Sequence, residues 1–190
     1  FFSERCRSSS SCLRLVISRF ISIAATISPA SFRIGDVFTI RGGSGRATAP
    51  SLAVAADGSF AVAWIDRRQD TDNTTLLARQ SDGPIIEIAS DRITDWSGPS
   101  VVSTTGGGFT AAWSARDDDS WTGSKVWVRK LGGEAQRIGP ATCINRVLPS
   151  LAPLPDGGFS AVWHLGYGFD LEGARVAGDG TELPARVVGA

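Results

Sequence analysis

Residues 149–163 read Pro-Ser-Leu-Ala-Pro-Leu-Pro-Asp-Gly-Gly-Phe-Ser-Ala-Val-Trp, and this pattern decides the fold because the chain repeats it. Proline, nine residues, phenylalanine, three residues and tryptophan also occur over residues 50–64 and 99–113. Successive copies are 49 and 50 residues apart. A fixed period of this size is typical of repeat architectures, in which each supersecondary unit buries its neighbours.

Each copy predicts two strands joined by a tight turn. Asp57-Gly58 and Asp156-Gly157 are strong hairpin signals, because such turns require positive φ and glycine adopts it without steric cost. In the middle copy, the three glycines at 106–108 take this place. We expect the proline of each copy to begin the first strand, where its missing N–H removes nothing from the ladder.

The second strand of each copy is predicted to have one large face and one small face. Alternate residues of a strand point to opposite faces, so Phe60, Val62 and Trp64 share one face while Ala61 and Ala63 share the other. The other copies repeat this division: Phe109, Ala111 and Trp113 against Thr110 and Ala112, and Phe159, Ala161 and Trp163 against Ser160 and Val162. A strand buried on both faces lacks polar alternation. We therefore expect stacked sheets in which the three tryptophans are buried at equivalent positions.

Two more strands are predicted in each copy. The third strands span residues 74–80, 125–130 and 172–177, and the fourth strands span 84–89, 134–138 and 181–188. Four short strands per repeat, with no sustained helical period, are typical of a β-propeller blade. The sequence thus predicts an all-β fold of three four-stranded antiparallel propeller blades in an incomplete ring. A β-sandwich is the alternative, because it also combines short strands with frequent turns.

The repeat resembles a family of bacterial extracellular β-propeller repeats, whose blades carry Asp-Gly-Gly-Phe-x-x-x-Trp followed by Gly-x-Arg. Residues 155–163 and 173–180 carry the resemblance, which extends over residues 50–190. It implies an exported protein, extracellular or on the cell surface, and it transfers no catalytic residue because the shared positions are strands and turns. Residues 81–83, Ser-Asp-Gly, are distantly similar to the aspartate box of sialidase-like propellers, without its spacing or its Thr-Trp end.

The ends of the chain differ from the repeats. Residues 1–31 are interpreted as an atypical extension, either a signal remnant or a disordered or non-native segment, because Arg14 and Arg19 interrupt a short apolar run that is also unsuited to span a membrane. Closed propellers have about four to eight blades. We therefore expect the chain to be a fragment whose remaining blades lie in the same polypeptide, with self-association as the alternative. The predicted divisions are a possible last strand of a preceding blade within 32–49, and blades at 50–98, 99–148 and 149–190.

Composition excludes several kinds of partner and chemistry. Nineteen Lys and Arg residues balance nineteen Asp and Glu residues, so no basic face for nucleic acid is predicted. The three cysteines, Cys6, Cys12 and Cys143, match neither a disulfide framework nor a zinc site. His164 is the single histidine, and we expect it to pack or lie at a rim rather than act in a catalytic triad.

The polar loops between second and third strands are the predicted ligand sites, because loops more often carry function than the cores that support them. These loops span residues 67–73, 116–122 and 165–170. Arginine forks there suit an anionic or sugar ligand, with surface ion pairs between loops as the simpler interpretation. The candidate ligand residues are Asp66, Arg67, Asp70, Arg116, Asp117, Asp118 and Asp119.

Two other interpretations of these loops remain open. Their oxygen-rich character suits calcium, but no EF-hand or nonapeptide spacing is present and a solvated loop is simpler. A sialidase-like or other glycoside hydrolase propeller requires two carboxylates about 5–9 Å apart, for which Asp66 and Asp117 are the nominees. The first prediction is a non-enzymatic binding or scaffolding propeller without a cofactor, which takes a protein or carbohydrate ligand. The second is a glycoside hydrolase.

Overall fold

The computed structural model describes residues 16–17, 21–23, 26–28, 31–33, 38–40, 46–67, 74–81, 83–90, 93, 97–105, 108–116, 123–140, 145–166 and 170–187. The chain divides into two compact units, Phe1–Arg41 and Gly42–Ala190. The described part of the first unit contains short antiparallel strands, paired in the order β1-β2-β5 and as a β3–β4 hairpin. Their bounds are β1 Val16–Ile17, β2 Ile21–Ile23, β3 Thr26–Ser28, β4 Ser31–Arg33 and β5 Phe38–Ile40.

The second unit contains three four-stranded antiparallel sheets, in each of which every strand pairs with the next along the chain. The first sheet has β6 Arg46–Val54, β7 Phe60–Arg67, β8 Thr74–Gln80 and β9 Ile85–Ser90. The middle sheet has β10 Ser100–Thr104, β11 Gly108–Arg116, β12 Ser124–Lys130 and β13 Ala135–Ile138. The third sheet has β14 Arg146–Pro153, β15 Phe159–Leu165, β16 Leu171–Val176 and β17 Glu182–Val187. The predicted all-β class, with three four-stranded propeller-like blades, is confirmed.

The sheets stack with the small-residue face of one against the large-residue face of the next. In one core, Ala61, Ala63 and Ile65 of the first sheet pack with Phe109 and Trp113 of the middle sheet. A second core joins the small face of the middle sheet to the large face of the third, through Val102, Ala112, Val126, Val128, Phe159, Ala161 and Trp163. The alternation along each second strand therefore dictates which neighbour each face meets.

The three repeat tryptophans are buried at equivalent positions, as predicted. Trp64, Trp113 and Trp163 are 1%, 3% and 0% exposed. Each stands in the second strand of its sheet opposite the same position of the third strand, which holds Leu77, Trp127 and Glu172 respectively. The third of these partners is a carboxylate in an otherwise apolar position.

The serine after the repeat proline links neighbouring sheets in the first two repeats. The hydroxyl of Ser51 accepts a hydrogen bond from the N–H of Val101 at 3.0 Å, and the hydroxyl of Ser100 accepts one from Leu151 at 3.0 Å. In both links the donor stands two residues after the proline of the following sheet. First strands of successive sheets thus lie side by side and are joined by a hydrogen bond that recurs with the sequence period.

We expect Ser100→Ala to lower the free energy of unfolding by about 1–3 kcal/mol, because the N–H of Leu151 loses its acceptor between two sheets. Urea denaturation of the two proteins measures this difference. Ser103→Ala, on the opposite face of the same strand, is the matched control and should cost less. Equal losses of unfolding free energy in both variants would mean that the inter-sheet hydrogen bond does not stabilise the fold.

The expectation that each proline begins a strand is wrong in two of the three copies. Pro50 and Pro149 lie inside β6 and β14, where the pairing register shifts. The preceding residues, Ala49 and Leu148, have φ of 49° and 55°, in the left-handed region. The shift is a bulge, and proline is tolerated within a strand at such a place because the ladder is interrupted there.

Arginines of the third strands make a second contact between sheets. The Nε of Arg129 donates to the carbonyl of Gly133 at 2.7 Å, and its Nη1 donates to Ile88 in β9 of the first sheet at 2.8 Å. Arg79 makes the equivalent bond to Gly83 at 3.0 Å. Arg175 is one residue out of step with these two, so it lies on the other face of its sheet and pairs with Asp156.

Candidate functional site

Three of the residues predicted to bind a ligand, Asp66, Arg67 and Arg116, are described by the structure and lie at one end of the sheets, which we call the loop end. Here the second strands finish and lead into the third strands, at residues 67–74, 116–124 and 165–171. Asp66 and Arg67 finish β7, and Arg116 finishes β11. Four candidates, Asp70, Asp117, Asp118 and Asp119, lie outside the described residues. The opposite end, where first strands lead into second strands, is called the turn end.

Arg67 and Arg116 occupy equivalent positions at the loop end. Each stands three residues after its repeat tryptophan and pairs with the first residue of the third strand, Thr74 or Ser124. Both are exposed and belong to the small-residue faces of their sheets. Successive sheets therefore place one arginine each at the equivalent position of this rim.

Asp66 has a different environment from the two arginines. It is buried, and its side chain belongs to the face of the first sheet that carries Trp64. Its equivalent in the middle sheet is Ala115, since both stand two residues after the repeat tryptophan. Asp66 is thus a buried group beneath the rim rather than an exposed ligand contact.

Buried polar and charged side chains concentrate at the loop end. Among the described residues, all of them except Thr110 lie toward it: Asp66, Thr74, Ser97, Ser114, Ser124, Lys125, Arg146 and Glu172. Burying charge is costly unless partners satisfy it. This end is therefore built on internal polar contacts, whereas the middle of each sheet is apolar.

The best-defined of these contacts is a buried cluster in the third sheet. Nε of Arg146 donates to Oε2 of Glu172 at 2.6 Å, and Nε1 of Trp163 donates to the same oxygen at 2.9 Å. Arg146 begins β14 and Glu172 is the second residue of β16, so the cluster spans the first three strands. Gly139 lies against it, and a Cβ at that position would approach the Trp163 ring to 2.9 Å.

Glu172 is held in its ionised form. Burial alone would raise the pKa of its carboxyl, but hydrogen bonds from Arg146 and Trp163, together with the Arg146 charge, lower this pKa below its ordinary value. Bonds to the charged form favour that form over the neutral acid. Glu172 is therefore an acceptor and a counter-charge, and it is not a proton donor near neutral pH.

Three further hydrogen bonds join segments at the loop end. The N–H of Ser124 donates to Oδ1 of Asn145 at 2.8 Å, which connects the start of β12 to the residue before β14. The N–H of Leu148, in the β14 bulge, donates to Oγ of Ser97 at 2.7 Å, and Ser97 in turn contacts the hydroxyl of Ser114 at 3.1 Å. The strand ends that support the rim are thus tied across the sheets.

The turn end has a different chemistry. Asp57, Asp156 and Asp179 each accept the N–H of the residue two positions later. Hydrogen bonds lower the pKa of each carboxyl, chiefly the bond from the Ser59 hydroxyl at Asp57 and the N–H bond at Asp156 and Asp179. A cavity of about 290 Å³ lies at this end between the middle and third sheets, with Phe159 and Lys130 in its lining. These aspartates shape the turns. The cavity lies at the opposite end of the sheets from the charged loop end, so the two are separate features.

Neither a metal site nor a membrane span is found in the described part of the chain. No group of three or more His, Cys, Asp or Glu residues there is placed to hold a metal ion. The calcium hypothesis rested largely on loop residues that fall outside that part. Across the same residues, no helix has the length and apolar character needed to cross a membrane.

Comparison with known proteins gives a structural likeness without a sequence family. No family model matches the chain, and no curated protein matches its sequence. Its structure is similar to that of an endo-1,4-beta-xylanase from Bacteroides thetaiotaomicron, with a TM-score of 0.50 and 15% identity. The match covers 90% of this chain and 68% of the xylanase chain. At this identity the likeness concerns the fold alone.

Proposed function

We propose that this protein is a non-enzymatic binding module of an exported bacterial protein, and that its loop end binds a carbohydrate chain with anionic groups. The observation that carries the proposal is the equivalence of Arg67 and Arg116, two exposed arginines that successive sheets place at one rim. A guanidinium fork matches the geometry of a carboxylate and also donates to sugar oxygens. The resemblance to extracellular repeats supports export.

The buried polar contacts support this proposal because a binding rim must be held in place. The Arg146–Glu172 pair fixes the starts of β14 and β16, and the Ser124–Asn145 bond fixes the start of β12. Recognition groups bind best when the surrounding structure positions them before the ligand arrives. These contacts hold the loop ends of the middle and third sheets in place.

The state of the carboxylates favours binding over hydrolysis. A glycoside hydrolase needs one carboxyl that stays protonated to donate to the leaving group. Within the described residues of the loop end the carboxylates are Asp66, Asp170 and Glu172. Glu172 is ionised by its bonds to Arg146 and Trp163, so it does not supply the proton. Asp66 is buried beneath the rim, so it is not exposed to contact a glycosidic oxygen.

A second candidate function is glycoside hydrolysis, favoured by one observation, the structural similarity to an endo-xylanase. It would use a carboxylate pair at the loop end, for which Asp66 and Asp117 remain the nominees. The two candidates share a ligand class and differ in whether a glycosidic bond is broken. One experiment therefore separates them.

Affinity electrophoresis of the 190-residue chain in gels that contain glucuronoxylan tests binding, and a reducing-end assay on the same mixture tests hydrolysis. We expect retarded migration without release of reducing ends. Neutral xylan should retard the chain less, because it offers no carboxylate to the arginines. Release of reducing ends would favour the hydrolase, and unchanged migration in both gels would refute carbohydrate binding.

Arg116→Ala should weaken the retardation by glucuronoxylan at least threefold, since one of two equivalent guanidinium groups is lost. Arg175→Ala is the matched control, because Arg175 is an exposed arginine at the turn end of the third sheet. Its migration should equal that of the unmodified chain. If Lys130→Ala, at the turn-end cavity, removes binding while Arg116→Ala does not, the ligand binds in the cavity and the proposed location is wrong.

A further inference from the structure

The small-residue face of the third sheet is open, whereas the same face of the first and middle sheets is covered. In the first and middle sheets the small-residue face of the second strand is buried, at Ala61, Ala63 and Ile65 and at Thr110, Ala112 and Ser114. In the third sheet, Ser160 and Val162 are half-buried and His164 is exposed. We call this the outer face of the third sheet. Its second strand carries small and apolar residues like those that pack between sheets elsewhere, but no described sheet covers it.

The outer face also carries the acceptor of the recurring inter-sheet hydrogen bond. Ser51 and Ser100 each accept an N–H from the first strand of the following sheet. Ser150 is the third member of this series, it pairs with Val162 on the outer face, and it is exposed. Leu183 of β17 belongs to the same face and is 37% exposed, although it is a large apolar residue.

The first sheet presents the complementary surface. Its large-residue face carries Leu52, Val54 and Phe60, since Leu52 pairs with Val62 and Val54 pairs with Phe60. Val54 is 40% exposed, and Leu52 and Phe60 are half-buried, so the turn half of this face is open while Val62 and Trp64 are buried. The corresponding Phe109 and Phe159 in the other sheets are buried against the preceding sheet.

We propose that the outer face of the third sheet binds the first sheet of a second copy of this chain, in a head-to-tail contact. Over the open turn half of the first sheet, the contact repeats the interface that joins the first to the middle sheet and the middle to the third sheet. The partner's Leu52 stands two residues after Pro50 and donates its N–H to Ser150, as Val101 and Leu151 do within the chain. The partner's Arg79, equivalent to Arg129, donates to carbonyls of β17.

We expect this head-to-tail contact to close between two copies rather than to extend into a filament. Each copy offers one outer face on its third sheet and one open half-face on its first sheet, so two copies can satisfy both contacts mutually. Two copies together contribute six four-stranded sheets, which is within the range of about four to eight that closed propellers contain. Different surfaces of the two copies meet, so each surface can be disabled separately.

Sedimentation velocity of the full 190-residue chain over a concentration series tests the contact. We expect the unmodified chain to sediment as a dimer that dissociates on dilution. Val162→Lys places a charge at the centre of the outer face, and Val54→Lys places one on the open half-face of the first sheet. Each should weaken dimerisation at least tenfold. Ala135→Lys, at an exposed position of β13 in the middle sheet, is the matched control and should leave it unchanged.

Mixing the two lysine variants distinguishes head-to-tail contact from other modes. A copy with Val162→Lys keeps an intact first sheet, and a copy with Val54→Lys keeps an intact outer face, so the mixture should form a one-to-one complex that neither variant forms alone. A chain that is monomeric at every concentration overturns the proposal. A dimer that survives Val54→Lys but not Val162→Lys also overturns it, because two outer faces would then meet each other. Circular dichroism of each variant verifies that its sheets are intact.

Discussion

Trp113→Ala should lower the free energy of unfolding by about 3–5 kcal/mol, the usual loss for a buried large aromatic residue. Trp113 is buried between the first and middle sheets, where it packs with Ala63, Ile65 and their neighbours. Those neighbours are held in hydrogen-bonded ladders on both sides, so the walls of the resulting cavity cannot collapse to fill it. Urea denaturation with the same slope for both proteins measures the difference.

A graded variant tests whether packing is the cause. Trp113→Phe retains an aromatic ring and removes less volume, so its loss should fall between zero and that of Trp113→Ala. The equivalent change in the third sheet, Trp163→Ala, should cost at least as much, because Trp163 also donates a hydrogen bond to Glu172. A loss below about 1 kcal/mol for Trp113→Ala would mean that the position is not part of a packed core.

The fold was predictable because the repeated residues have strong preferences for particular strand and turn positions. Tryptophan four residues after phenylalanine places both on one strand face, and an Asp-Gly pair before them forces the preceding turn. The predicted third strand at residues 74–80 and the observed β8, Thr74–Gln80, coincide for this reason. Local alternation and turn chemistry, which act within about ten residues, were sufficient to predict the sheets.

The bulges at the prolines were not predictable from the same signals. Pro50 predicts an interruption, but whether the strand ends or continues past a bulge depends on what the preceding residues pair with across the sheet. Leu148 adopts a positive φ although it is not glycine, and its N–H is satisfied by Ser97 from the segment before the middle sheet. This hydrogen bond joins residues 51 positions apart, and no local pattern in the sequence indicates it.

The strand positions of two candidate arginines were predictable from the sequence, but the buried ion pair near them was not. Loop-end arginines were nominated from their distance to the repeat tryptophans, and Arg67 and Arg116 do occupy equivalent places. Arg146 and Glu172 were missed as a pair because they are 26 residues apart. One signal was available: Glu172 stands in the position that holds Leu77 and Trp127 in the other repeats, and a carboxylate in an apolar position requires a partner.

Glu172→Ala should lower the free energy of unfolding by about 3–5 kcal/mol, because it leaves the Arg146 guanidinium buried without its counter-charge. Both side chains are buried, so water cannot replace the lost carboxylate without opening the sheet. Trp163 also loses the acceptor of its indole N–H. Urea denaturation at pH 7 measures the loss, and a loss below about 1 kcal/mol would contradict the role assigned to the pair.

Replacing both Arg146 and Glu172 should lower the free energy of unfolding less than replacing Glu172 alone. The first sheet has Ala47 and Leu77 at the positions of Arg146 and Glu172, so Arg146→Ala with Glu172→Leu copies a pattern that the fold already accommodates. Replacing a buried ion pair by apolar residues is often close to neutral, whereas breaking it is not. The double variant should therefore be more stable than Glu172→Ala, and the coupling free energy from the double-mutant cycle should be favourable.

The pH dependence of stability gives an independent test of the same pair. The pKa of Glu172 is lowered in the folded protein, so its contribution is complete above the ordinary value of 4.5 and is lost as the pH falls through the folded pKa. Glu172→Gln keeps the size of the side chain and cannot ionise. The difference in stability between the two proteins should be largest near pH 7 and shrink below pH 4.5. A difference that stays constant, or grows as the pH falls, would mean that the carboxylate charge does not stabilise the third sheet.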